Sequence, residues 1–355
     1  MSELKNKQHY VFQAYLKKWY CDKDEVWVYS KASHKVFHTR AENILHQRHM
    51  YKIQALNDDE KKFFELLMTS LHLTNADKSE MRDHINAYLL PFSNKIIVDA
   101  LKQINPIPKN HPLNDEIEKG FANLDKIIKA QQVNTEEDFY SEYEGEATVW
   151  FNRIIDGDIG FYYNNNVEYS ENGIQLPVNF ERDEFLNFVC IQYFRTMGMR
   201  NVLKDNIQSM IRYTKQYVSN TADNITVDFN PDNVDPGHVL PHMVWIIQAK
   251  CSAGLGCQNA DLQIVRNKTR LPFITSDQPV INMKAEVGGK APDEFVLFYP
   301  MDPKTAIIIN GGKGEKTVDK TSEVDRLNKM IWDHAHEYIV ADREELLNGM
   351  VEMYE

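Results

Sequence analysis

Leu271-Pro272-Phe273-Ile274-Thr275-Ser276-Asp277-Gln278-Pro279-Val280 carries the strongest strand-and-turn signal in the C-terminal third of the chain. A β-favouring run, Phe273 to Thr275, enters a polar turn at Ser276 and Asp277 and stops before Pro279. Similar short runs flank it: DLQIVRN from 261, PVINMK from 279, EFVLFYP from 294 and TAIIIN from 305. Gly, Pro and Asp clusters separate them, which predicts an antiparallel or mixed sheet. A helix, SEVDRLNKMIWDHAHE from 322, a short strand, YIVA from 338, and a terminal helix close the chain.

Working outward, the N-terminal region holds QHYVFQAYLKKWY from residue 8 and then EVWVYSKASHKVFHT from residue 25. The second stretch predicts a hairpin, Val26 to Tyr29 with Lys35 to His38. A lone hairpin is marginal, so it needs a partner surface.

Helical periodicity dominates from about 58 to 218. Phe63, Phe64, Leu67 and Leu71 recur at helical spacing, with Asp58 or Asp59 as the expected cap. SEMRDHINAYLL and NKIIVDALKQI predict two further helices. INPIPKNHPLN, with three prolines, reads as a linker between helices or a weak domain boundary. DEIEKGFANLDKIIKAQQ follows, and then a separate helix capped by Asn134 or Thr135. GFYYNNNVEYSENGIQLP, rich in Asn, Tyr and Gly, predicts an exposed loop. From Glu181 the pattern fits one bent helix or two successive ones.

The expected class is therefore α+β: a helical middle packed with a mixed or antiparallel sheet, built mainly from the C-terminal third plus the N-terminal hairpin. Residues 1–355 read as a single domain, with sub-regions 1–57, 58–253 and 254–355.

Composition bounds the function. The chain has 355 residues, 43% hydrophobic and 26% charged, which is ordinary for a folded protein. The net charge of −12 repels phosphates at long range and disfavours a nucleic-acid coat protein. A local basic groove remains compatible with it. Cys21, Cys190, Cys251 and Cys257 include no CxxC pair, so a zinc knuckle is not expected. Cys190, in NFVCIQYF, reads as a small buried hydrophobe. This usage suits a reducing cytoplasm. No apolar run reaches the length of a membrane span.

Nucleotide-loop, dinucleotide, nucleophile-elbow and HExxH zinc signatures are missing. GGKGE at 311 to 315 reads as a hairpin tip. His334 and His336, two apart on a helix, do not face one way, so a zinc pair is discounted.

Five polar features remain. Gln8, His9 and Tyr10 precede the first strong element. His9 is a general base or ligand, or else Gln8 and His9 tie down the terminus. Glu144 and Glu146 cannot share one helix face. A carboxylate on the apolar stripe must be paired, hydrogen-bonded or coordinated. Arg195 ends an apolar helix, where it either clamps a phosphate or carboxylate or pairs with Glu144. Ser276 and Asp277 sit at a strand end. There Asp277 is a metal ligand or base, or else an Asx turn before Pro279. Asn328 lies on the late helix, within RLN.

These segments resemble, in order, the bacterial domain-of-unknown-function 4238 family. QHYVFQAYLKKW is similar to its N-terminal motif, with Phe12 where that family usually has proline. VWVYSK and the segment to MYKI resemble its hairpin and loop. EDFYSEYEGEATVWFNRI matches its helix at Glu144, and IQYFRT matches at Gln192, Arg195 and Thr196. LPFITSDQPV is close to its F-I-T-S-D-x-P signature. LFYPMDPKTAIII resembles its strand pair, and VDRLNKMIWDHAHEYIVA its closing helix and strand. The resemblance implies an accessory or defence-associated gene and no defined chemistry.

Three functions are then expected in competition. The first is a defence- or toxin-associated nuclease acting on RNA or DNA. It would use His9, Glu144 and Asp277 as catalytic groups, with Glu144 and Asp277 holding a divalent cation (Mg or Mn). Gln8, Tyr10, Arg195, Ser276 and Asn328 would then bind substrate. The second is a non-catalytic sensor that meets a protein partner or a second copy. The third is an enzyme acting on a nucleotide or small molecule, which the acidic charge suits better.

Overall fold

The computed structural model describes residues 4–21, 24–71, 75–104, 111–164, 167–171, 174–221, 229–288 and 292–355. In chain order, β1 is Lys7–His9 and α1 is Gln13–Leu16. The hairpin follows as β2 (Val26–Ser30) and β3 (Lys35–Thr39), and then β4 (His46–Arg48). Three helices come next: α2 (Asp58–Ser70), α3 (Asn75–Ile104) and α4 (Asn114–Ile155). Short α5 (Gly160–Tyr163) leads to β5 (Val167–Glu171) and β6 (Ile174–Val178). Then come α6 (Phe180–Phe194), α7 (Met197–Thr221) and α8 (Pro236–Cys257). The C-terminal strands begin with β7 (Leu262–Asn267), β8 (Thr275–Ser276) and β9 (Ile281–Asn282). They continue as β10 (Leu297–Pro300), β11 (Thr305–Ile309) and β12 (Gly314–Val318). Helix α9 (Thr321–His334), β13 (Tyr338–Ala341) and α10 (Glu344–Tyr354) end the chain.

The chain forms two compact units. Unit 1 comprises Met1–Gln8, Arg48–Tyr140 and Val202–Ile246. Unit 2 comprises His9–Gln47, Ser141–Asn201 and Ile247–Glu355. Among the described residues, no helix is long and apolar enough to cross a membrane.

Unit 2 carries the two larger sheets, and the class is α+β as the sequence predicts. One sheet has the order β12-β7-β11-β10-β9. It is mixed, because β12 runs parallel to β7 while the other pairs are antiparallel. Central β11, TAIII, is buried at every position, as a strand covered on both faces must be. Edge strand β12, GEKTV, keeps its polar residues outward, which blunts a free edge. The second sheet has the order β3-β2-β13-β8 and is wholly antiparallel. The N-terminal hairpin thus finds its partner surface in YIVA. Phe273, Phe298, Ile308, Leu327, Ile331 and Ile339 share the core of this unit. Trp332 of α9 stacks on Tyr29 of β2 with centroids 5.3 Å apart.

Several boundaries differ from expectation. Asn57, and not Asp58 or Asp59, caps α2. Its side chain accepts the Glu60 N–H, and the Glu60 carboxylate accepts the Asn57 N–H. The two helices expected before 104 are one, α3, which runs through Pro91. No new helix starts at 134, since α4 is continuous over 42 residues. Thr135 Oγ1 turns back to donate to the Gln131 carbonyl at 2.7 Å, the mid-helix habit of threonine rather than a cap. Asn134 Oδ1 instead accepts the Lys5 N–H. The expected exposed loop at 160–177 is half wrong: α5 buries Phe161 and Tyr162, and β5 pairs with β6. Most of the proline linker, 105–110, lies outside the described residues.

Unit 1 is helical around an aromatic core. His84 stacks on Trp245 at 3.8 Å, and the His242 ring meets Phe64 at 5.3 Å and Tyr88 at 5.2 Å. His84 Nε2 and His242 Nδ1 have no hydrogen-bond partner among the described residues. Burial pushes His242 down to about 4. His84 is lowered by burial first and then by His242 beside it. Native His242 is therefore neutral where the unfolded chain, titrating near the ordinary value of about 6.5, takes up a proton. Its contribution to stability is fully present above that value and falls as pH drops toward 4. Unfolding free energies from urea melts should decrease from pH 6.5 to 4.5, by up to about 1.4 kcal/mol per pH unit from this residue. Subtracting the His242→Phe profile isolates that slope. Parallel profiles would contradict a buried neutral imidazole.

Candidate functional site

Two helices of unit 2 build the polar centre. On α4, Glu144, Ala147 and Phe151 fall on one face. On α6 the corresponding face carries Phe188 and Gln192, and Arg195 stands at the C-cap. Phe151 and Phe188 meet at 5.8 Å and fix the crossing. Two helical turns away, Arg195 Nη2 lies 2.7 Å from Glu144 Oε1. The Arg195 side chain is 0% exposed and that of Glu144 is 24% exposed. Arg195 Nε also donates to the Tyr10 carbonyl at 3.2 Å. The sequence left open whether Arg195 clamps a ligand or pairs with Glu144, and it pairs.

The N-terminal motif is bound into this centre. Tyr10 N–H donates to the Leu45 carbonyl. Phe12 takes φ −58°, the value that proline imposes, so the turn survives without the usual proline. Its ring packs on Phe151 and Phe188. Tyr15 shares a 2.5 Å hydrogen bond with Thr275 and packs 5.1 Å from Tyr299. Trp19 Nε1 donates to the Phe273 carbonyl at 3.2 Å. The two most distinctive sequence segments thus meet directly.

Asp277 is held differently from a metal ligand. Its Oδ1 accepts the His336 N–H at 2.9 Å. Its Oδ2 accepts the Glu337 and Tyr338 N–H groups at 2.6 and 3.0 Å. Burial raises its pKa, while those three N–H groups and His336 pull it back down. The carboxylate is a staple between β8 and the start of β13. The Tyr10 hydroxyl lies in its field. Burial first, and then Asp277, Tyr338 and Glu337, raise the phenol well above its ordinary value.

The other expected residues are structural ties. Ser276 Oγ donates to the Gln278 carbonyl and accepts the Gln278 N–H. Asn328 Nδ2 donates to the Pro272 carbonyl, and its Oδ1 accepts the Ile274 N–H. Gln8 lies in unit 1, where Nε2 donates to the Val133 carbonyl at 2.6 Å and Oε1 accepts the Tyr51 N–H. It ties down the N-terminal segment, as one of its two readings predicts. His9 sits edge-on to His46 at 5.2 Å. Glu144, Arg195 and the Tyr10 backbone therefore touch, with Asp277 adjoining through Tyr10. Ser276 follows Asp277, and Asn328 holds the approach to β8. Among the described residues, no three His, Cys, Asp or Glu side chains group as a metal site.

Two further residues emerge from the structure: Gln192, marked in the sequence only as a position of the IQYFRT match, and Tyr299. Gln192 is 0% exposed, yet neither Nε2 nor Oε1 has a hydrogen-bond partner among the described residues. Tyr299, also 0% exposed, has a hydroxyl with no hydrogen-bond partner among the described residues. Burial holds its phenol protonated, and Arg195 and Glu144 act on it from close by. The signal for Gln192 was its place one turn before Arg195 in IQYFRT. Tyr299, within a strand, gave none.

The family model described as "Protein of unknown function (DUF4238)" matches residues 7–345. Neither the curated proteins nor the solved structures contain a match to the chain.

Removing the Asp277 staple strands three buried or half-buried N–H groups. Asp277→Asn keeps one acceptor oxygen but turns an amide donor toward the N–H groups on its other side, and should cost about 2–3 kcal/mol, read as a lower melting midpoint. Glu144→Gln leaves the Arg195 charge uncompensated and should cost a comparable amount. Unchanged midpoints in both variants would contradict these roles.

Proposed function

We propose a function for a chain that belongs to the DUF4238 family: unit 2 recognises a small polar molecule at the Gln192–Arg195 face of α6. The observation that carries this reading is the Gln192 amide. A buried amide without partners is expensive, at about 1–3 kcal/mol per unmatched group. A buried polar group without a protein partner calls for an explanation, and a bound polar ligand supplies one. Gln192 offers a donor and an acceptor side by side, and the Tyr299 hydroxyl offers either. Such a set reads a complementary donor–acceptor edge, of which a nucleobase is the model case. The rings of Tyr15, Phe151 and Tyr299 pack on one another, and Phe151 also meets Phe188, one turn before Gln192, so apolar ring surface lies close to this face. The partly exposed Glu144 marks the side that faces solvent.

This is the small-molecule reading that the acidic chain favours. A polymeric nucleic acid must approach a protein of net charge −12, whereas a single nucleoside meets little of that field. A metal-dependent nuclease needs Glu144 and Asp277 to offer oxygens to one cation. Asp277 uses both oxygens on backbone N–H groups, and Glu144 is engaged by Arg195. Four free thiols fit a reducing compartment, so we assign the protein to the cytoplasm.

The test is a thermal-shift screen of the full chain against nucleosides, nucleotides and free bases, with affinities then measured by calorimetry. We expect stabilisation by at least one class. Gln192→Leu, which removes the unmatched amide at similar volume, should abolish that response while melting at or above the wild-type temperature. Undiminished ligand response in Gln192→Leu, or no response across the panel, would sink the proposal. So would RNA or DNA cleavage with Mg or Mn that is lost in Asp277→Asn while the nucleoside response is absent.

A further inference from the structure

The second half of α3, in unit 1, leaves an apolar stripe in water. Leu90, Asn94, Ile97, Leu101 and Ile104 recur at alternating intervals of four and three residues, the spacing of a coiled-coil seam. The apolar members are 45% to 72% exposed. Single exposed leucines are ordinary, but a continuous stripe of them marks a contact surface.

The charges of this stretch lie elsewhere. Between Leu89 and Ile104 the charged residues are Lys95, Asp99 and Lys102, roughly 140° round the helix from the stripe. Lys95 and Lys102 reach the Asp125 carboxylate of α4 at 2.9 and 2.7 Å, and Asp99 lies 2.7 Å from Lys95. Lys102 also covers the Phe121 ring. These ties set α4 antiparallel beside α3. On α4, Leu113 and Leu124 are exposed and share one face, about a quarter turn from Asp125. Helical geometry carries both stripes to the same side of the pair.

We infer that this side is where a second copy of the chain docks, with α3 against α3. Charge, polarity and area each favour a copy. Two chains of net charge −12 repel, and contact between them is least opposed through a stripe that carries no charge. Asn94 stands in that stripe, and a lone amide in an apolar seam needs a matching group. A copy in register brings Asn94 to Asn94, and an amide both donates and accepts. The exposed Leu and Ile side chains of the two helices amount to about three whole side chains per copy. At roughly 100 Å² each, two copies would bury about 600 Å² of apolar surface. Homodimer interfaces are about 65% apolar, so the whole contact comes to about 900 Å². That is the size of a reversible dimer rather than a permanent one.

Sedimentation velocity of the full chain, from submicromolar to high-micromolar concentration, tests this. Monomer should pass to dimer over that range. The double variant Ile97→Glu, Leu101→Glu sets acids against acids across the seam and should weaken the dimer about a hundredfold or more. Its circular dichroism should match wild type, because both side chains are exposed. Met353→Glu, at a comparably exposed apolar residue of α10, should leave the dimer intact. If the double variant unfolds, Ile97→Cys decides: mild oxidation should link two copies beyond the wild-type background, and Met353→Cys should not. The inference is overturned by a chain that stays monomeric throughout, by a dimer that the double variant leaves intact or that Met353→Glu disrupts equally, or by no cross-linking of Ile97→Cys. A monomer that floats with phosphatidylcholine vesicles, and no longer does so in the double variant, would overturn it in favour of a lipid surface.

Discussion

A guanidinium that never loses its charge is sealed inside unit 2, and much of that unit is arranged around it. Arg195 cannot deprotonate to escape burial, so its neighbours must compensate it. Glu144 supplies the charge from α4, and the Tyr10 carbonyl supplies an acceptor from the N-terminal segment. Three stretches far apart in sequence are thereby held to one point. The requirement also explains why α6 stops there: the chain breaks at Arg195 and Thr196 before α7 begins. Thr196 Oγ1 donates to Gln278 Oε1, and Gln278 Nε2 donates to the Tyr193 and Val280 carbonyls. The break between the helices is thus bonded directly to the segment that follows β8.

That arrangement shows how far the amino-acid pattern can be read. The hairpin, the C-terminal strands and the two final helices follow from local alternation and turn chemistry, and they lie where those signals place them. Helix starts were harder. Asn57 takes the cap from Asp58 and Asp59 because Glu60 completes a reciprocal pair only from that register. Thr135 looks like a cap in sequence because serine and threonine serve both as caps and as mid-helix back-bonders. Nothing local distinguishes the two uses when the helix simply continues.

The site was legible as chemistry and hidden as geometry. Glu144, Arg195 and Asp277 stand out because charged residues in apolar surroundings need a reason. The reason was not local. Asp277 is matched by backbone groups 59 to 61 residues further on. Backbone donors carry no residue signature, so the sequence could not reveal that its oxygens are spent. Gln192 shows the converse. A glutamine in a helix is unremarkable until burial removes its water and no partner replaces it.

What the proposed Arg195 site would discriminate follows from its burial. The charge there is sealed and already neutralised, so a ligand would gain little from carrying the opposite sign. Selection would rest on the pattern of donors and acceptors that Gln192 and Tyr299 present, in a medium where an unmatched group is costly. Burial would make such a site exacting about atoms rather than about charge.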